Sequence, residues 1–69
     1  MSVIKVIETV CTSDKSWQDA VENGVHEASK TLRDIVGLDV IGWKAHVKNG
    51  KITEYRVDVK FAIKVEEGR

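Results

Sequence analysis

The dipeptide Asn49-Gly50, set between two runs rich in β-branched residues, constrains this chain more than any other feature. A type I′ turn needs positive φ at both central residues, and Asn-Gly supplies them at little cost. The flanking runs, Leu38 to Val47 and Ile52 to Val65, are therefore expected to pair as an antiparallel hairpin. A two-residue loop then implies a register. Lys48 faces Lys51, Val47 faces Ile52, Lys44 faces Tyr55, Trp43 faces Arg56, Ile41 faces Asp58, Val40 faces Val59, Asp39 faces Lys60 and Leu38 faces Phe61. Opposed residues share a side of the sheet. One face carries Leu38, Val40 and Gly42 with Tyr55, Val57, Val59, Phe61, Ile63 and Val65. The other carries Gly37, Asp39, Ile41, Trp43 and Ala45 with Arg56, Asp58, Lys60 and Ala62.

Upstream, Val3 to Val10 reads as a first strand with apolar residues on both faces, Ile4, Val6 and Val10 against Val3 and Ile7. Ser16 suits a helix N-cap, and Asp19 three residues on approximates a capping box. From Trp17 the apolar residues fall at helical spacing: Trp17, Ala20, Val21, Val25, Ala28, Leu32 and Ile35. The spacing predicts a helix running to that last residue, with Gly37 as its stop. Gly24 in its middle costs about 1 kcal/mol relative to alanine, tolerable where another backbone packs close. The order strand, helix, strand, strand predicts an α+β fold: a three-stranded antiparallel sheet wrapped on one helix, its third strand central.

One helix covers one face of a sheet, so the second face must meet a subunit or a ligand. Size argues the same way. A chain of 69 residues forms a single domain, residues 1–69, and buries only about 60% of its unfolded surface. Its single cysteine cannot close an intrachain disulfide, which leaves oligomerisation as the staple. Eleven acidic and eleven basic residues cancel, which argues against nucleic acid or an anionic membrane as partner. No apolar run approaches the roughly 20 residues of a membrane span. A free cysteine without an export signal leads to the expectation of a cytoplasmic protein.

Catalytic motifs are wanting: no phosphate loop, nucleophile elbow or helical His-Glu-x-x-His occurs in the sequence. Cys11 sits ahead of the helix without a neighbouring histidine, and His26 and His46 lack an oriented partner, so no enzyme is expected. Trp17, opening the helical stripe, reads as core. Trp43 and Arg56, expected to oppose each other, read either as a cation–π contact inside a subunit interface or as one wall of a pocket for a planar or anionic ligand. Asp39 and Asp58 share the expected second face. They read either as partners in a cross-strand charge ladder with Lys60 or as ligands for a hard cation such as Ca²⁺.

The stretch Ala28-Ser29-Lys30-Thr31-Leu32-Arg33, then Gly37-Leu38-Asp39-Val40, resembles the signature of the dodecins. So do Lys5-Val6-Ile7-Glu8, Thr12-Ser13 and Ser16-Trp17. The resemblance implies the β-α-β-β fold, a hollow homododecamer, and non-covalent binding or storage of a small molecule, flavin (FMN or riboflavin) by default. It also implies that a tryptophan opening the strand after the helix stacks on the flavin, and that a glutamine on the last strand bonds the ring's polar edge. Gly37 and Arg56 stand at those positions here. Glycine offers no stacking surface, and arginine donates but cannot accept. Lys44 and Lys64 match basic residues that meet a ligand phosphate in many dodecins, and Cys11 stands where the family has glycine. An arginine after the tyrosine of the last strand, without the flavin tryptophan, is similar to calcium dodecins. The expected function is thus flavin binding in a weakened or altered mode, with a structural or calcium-binding shell as the alternative.

Overall fold

A computed structural model describes residues 3–65, which form β1 (Val3–Ser13), α1 (Trp17–Ala28), β2 (Ile35–Lys48) and β3 (Lys51–Val65). Asn49 and Gly50 take φ of 53° and 76°, as the type I′ turn requires. The strand order is β1-β3-β2, and β3 runs antiparallel to both neighbours. The expected central strand is therefore the observed one. Long strands make an elongated molecule, 56 × 20 × 13 Å. A helix of 12 residues spans about 18 Å at 1.5 Å per residue, so it covers only part of one sheet face.

The core lies where helix and sheet meet. Val57, Val59 and Phe61 of β3 are buried together with Cys11 and Ala20. Trp17, Val21, Val25, Ala28, Ile35 and Leu38 pack around them. Each large side chain so buried contributes about 1.5–3 kcal/mol. Ser16 caps the helix by accepting a hydrogen bond from the Asp19 amide at 2.9 Å. The Asp19 carboxylate does not reach back to complete a capping box. It accepts from Ser13 Oγ at 2.6 Å and from Asn23. Gly24 is explained by a side chain rather than by a neighbouring backbone: a Cβ there would overlap Cys11 Sγ and lie 3.0 Å from Cys11 Cβ.

Two expectations are corrected. The helix ends at Ala28, seven residues before Ile35, which instead opens β2. The Ser29 amide and hydroxyl both bond the Val25 carbonyl, and Lys30 and Thr31 reach back only three residues. Asp34 then takes φ of 60°, which no helix continues through. Leu32 and Ile35 kept helical spacing by coincidence of the turn. The second correction is to the hairpin register. It holds at the turn, Lys48 with Lys51 and Val47 with Ile52, and again from Val40 with Val59 to Leu38 with Phe61. Between them it is shifted by one residue, because Thr53 on β3 and Ile41 on β2 bulge out of the pairing.

A one-residue shift turns every side chain of the affected strand to the other face. Trp43 therefore pairs with Val57 and Ala45 with Tyr55, on the helix side, while Lys44 pairs with Arg56 on the second face. The expected Trp43–Arg56 opposition does not exist. Trp43 instead meets Trp17 edge-on, ring centroids 6.1 Å apart, and Trp17 also packs edge-on against Tyr55 at 4.8 Å. Edge-to-face pairs contribute about 0.5–1.5 kcal/mol each beyond burial, a return large enough to offset the ladder bonds lost at the bulges. Among the described residues, no helix is long and apolar enough to cross a membrane.

Candidate functional site

The sheet face away from the helix carries the chain's chemistry. Central β3 presents Glu54, Arg56, Asp58, Lys60, Ala62 and Lys64 there, since alternate residues share a face. The strand pairings complete these positions into rows. Arg56 lies between Thr12 and Lys44, Asp58 between Val10 and Gly42, Lys60 between Glu8 and Asp39, and Ala62 between Val6 and Gly37. Ile4, Val6, Val10 and Ile41 are all exposed large apolar groups, so the face is a mixed apolar and charged surface.

Two charged groupings stand out. Arg56 Nε donates to Glu54 Oε1 at 2.8 Å, which with the guanidinium charge holds the Glu54 carboxyl below its ordinary range. Lys44 stands directly across from Arg56, and like charges in that relation are destabilising. Such a pair is relieved when an anion sits between its members. The second grouping joins Glu8 of β1 and Asp58 of β3. A hydrogen bond with Asp58, then its negative charge, pushes the Glu8 carboxyl above its ordinary 4.5. Asp58 Oδ1 is buried and has no hydrogen-bond partner.

Stability linked to a raised carboxyl pKa is present below the ordinary value and lost as pH rises through the folded one. Glu8 accordingly contributes a melting temperature that falls as pH rises from about 4 toward neutrality, and the lowered Glu54 carboxyl contributes the opposite slope. Glu8→Gln, whose amide can donate to Asp58 at any pH, should flatten the Glu8 slope and melt higher than the parent at pH 7. Thermal scans across this pH range check it, and an unchanged slope in the variant contradicts it.

Sequence reasoning anticipated some of these positions and missed others. It placed Lys44 toward the helix, whereas the shifted register brings it to Arg56. Asp39 does oppose Lys60, as expected. Gly37, opposite Ala62, and Lys64 sit toward the far end of the face, six and eight residues along β3 from Arg56, about 20 Å and 26 Å away. One chain therefore does not unite them with the Lys44–Arg56 pair. Trp43, 60% exposed, belongs to the aromatic cluster on the helix side and not to a wall shared with Arg56. Glu8 was missed, because its neighbours depend on the β1–β3 register, which no turn announces. Among the described residues, no three His, Cys, Asp or Glu side chains gather where they could hold a metal ion. A Cβ on Gly37 would meet nothing within 4 Å.

On the opposite side, an open cleft of about 260 Å³ lies between β1 and α1, lined by Thr9, Cys11, Asn23, Gly24, Glu27 and Phe61. Burial pushes the Cys11 thiol up, away from the nucleophilic thiolate.

Comparison with known proteins points one way. The sequence model of the dodecin family matches residues 3–66. The calcium dodecin of Mycobacterium tuberculosis is 38% identical over 66 residues, covering 94% of this chain and 92% of that protein. Among solved structures, the dodecin of Streptomyces coelicolor superposes with a TM-score of 0.92 at 30% identity, covering 97% of this chain and 96% of that one. The calcium-chelating calcium dodecin of M. tuberculosis, described with a novel calcium-binding site, gives 0.80 at 33% identity, with 99% and 97% covered.

Proposed function

This chain belongs to the dodecin family, and we propose from that premise that it assembles as a homododecamer and holds a small anionic ligand non-covalently on its second sheet face. The observation that carries the reading is the Lys44–Arg56 pair, two cations opposed across neighbouring strands on an otherwise uncovered face. The separation between this pair and the Gly37–Lys64 end, about 20 Å or more at 3.3 Å per residue, supports assembly as well. A ligand touching both ends needs two copies of the chain related by symmetry. Exposed Ile4, Val6, Val10 and Ile41 supply apolar surface for such a junction.

Flavin is the family's ligand class, and the face fits it only in part. Gly37 gives no stacking surface, so an isoalloxazine ring loses its main apolar grip. Lys44, Arg56 and Lys64 suit a phosphate, which favours FMN over riboflavin. When bound, a flavin supplies a planar ring system. The chain's own residues supply charge and orientation. Two measurements test the reading: mass in solution near that of twelve chains, and quenching of flavin fluorescence on titration. A monomeric or dimeric mass contradicts the assembly, and absent quenching contradicts the flavin.

A second reading rests on the unpartnered Asp58 Oδ1 beside Glu8. Two carboxylates suit a hard cation, and Ca²⁺ takes six to eight oxygens. Further ligands would come from a neighbouring copy or from water, with Asp39 lying one row away. Calcium is then expected to raise the melting temperature, chelator to reverse the rise, and Asp58→Asn to abolish it. No shift with calcium in the parent protein contradicts this reading.

A further inference from the structure

The hairpin's own turn favours an unbroken register, in which Ile41 and Thr53 are paired and Trp43 faces Arg56. Between Val40 and Val47 the chain departs from it, between two compensating bulges, one on each strand; a separate shift lies at the start of β2, between Ile35 and Gly37. The stretches that flank that window, Gly37–Val40 and Val47–Lys48, share one register, so the window can adopt either register without disturbing them. Something must therefore hold it where it is. Trp17, in the first turn of α1, touches it at three points. Its ring meets Trp43 on β2 at 6.1 Å and Tyr55 on β3 at 4.8 Å. Its Nε1 donates to the Lys44 carbonyl at 2.9 Å.

We propose that Trp17, acting through Trp43, is a positioning residue that holds the Gly42–His46 segment one residue out of the default register, and so places Lys44 beside Arg56 on the ligand face. Without the clamp, Gly42–His46 slides by one residue. Trp43 then turns to the second face, and Lys44 turns to the helix side opposite Tyr55. The cationic pair is dismantled although neither of its members is altered. The functional half of this inference rests on the reading of that face as the ligand face; the structural half does not.

The test separates the two. Trp43→Ser removes a largely exposed ring and leaves the Val57, Val59 and Phe61 core in place. Cross-strand backbone NOEs of the labelled protein then report the register directly. Proximity of Lys44 to Arg56 marks the shifted register, and proximity of Lys44 to Tyr55 marks the default one. The parent and Trp43→Phe are expected to show the first, and Trp43→Ser the second, with FMN affinity falling about tenfold as one charge-assisted contact is lost. Trp17→Phe keeps the ring but removes the indole donor, and a mixture of both registers is expected. It decides the matter if Trp43→Ser does not fold. Lys44 beside Arg56 in full population in both Trp43→Ser and Trp17→Phe overturns the proposal. Should the register slip while FMN binding is unaffected, the clamp stands and the assignment of Lys44 to the ligand is overturned.

Discussion

Gly24→Ala is expected to destabilise the fold by about 1–3 kcal/mol, the usual cost of forcing an extra carbon into a close contact. This runs against helix propensity, which alone would favour alanine by about 1 kcal/mol. The steric term wins because the new Cβ overlaps Cys11 Sγ and comes within 3.0 Å of Cys11 Cβ. Cys11 Cβ is fixed by the β1 backbone and cannot move away, and relief at Sγ requires the thiol to leave the rotamer in which it is buried. In a domain of this size each kcal/mol shifts melting by roughly 4–8 °C, so the change is easily read in a thermal scan. The pair is also expected to couple. Cys11→Gly removes both offending atoms, and adding Gly24→Ala to that background should cost far less than in the parent. A double-mutant cycle measures the difference, expected within about 0.5–3 kcal/mol for residues in contact. An unchanged or higher melting temperature for Gly24→Ala in the parent background contradicts the packing described.

Gly37→Trp carries the second large effect, as a gain of binding. Gly37 opposes small Ala62 on the second face, and a Cβ there meets nothing within 4 Å. An indole attached through that unhindered Cβ is expected to stack on a planar ligand. Stacking of a flat heterocycle on an aromatic side chain is worth about 1–3 kcal/mol, or roughly tenfold to a hundredfold in affinity. Riboflavin, which has no phosphate for the lysines, should show the gain most clearly. Gly37→Leu adds apolar bulk without the ring and serves as the control, with a smaller expected gain. If the tryptophan variant keeps its mass and melting temperature yet binds riboflavin no better, the second face is not where a flavin sits.

Much of the fold was legible in the chain because its strongest signals are local. Asn49-Gly50 defined the hairpin, Ser16 the helix start, and the alternation of Val57, Val59 and Phe61 the core face of β3. The register in mid-hairpin was not legible, since a turn sets pairing only until the first bulge. Gly42 was the available signal, because an isolated glycine in a strand often marks a bulge. What fixes the shift lies elsewhere, in Trp17 on the helix. The helix end was misread for a related reason: Leu32 and Ile35 preserve the helical period past the point where Asp34 adopts a left-handed backbone. The Glu8–Asp58 pair lay beyond sequence reasoning altogether, because it arises between strands separated by the whole helix. At the site, the residue types were found by their chemistry. Their grouping was not: the shifted register separates Trp43 from Arg56 and sets Lys44, expected as a ligand contact from the family resemblance alone, opposite it.

The claim at the centre of this account is that charge on the second face, and not stacking, holds the ligand. Titration of the assembled protein with FMN and with riboflavin, followed by flavin fluorescence, tests it most directly. The prediction is that FMN binds about tenfold or more tightly than riboflavin, as a charge-assisted contact of roughly 1.5–3 kcal/mol implies. Arg56→Gln or Lys44→Ala should narrow the gap. Equal affinity for the two flavins, or no quenching of either, contradicts it.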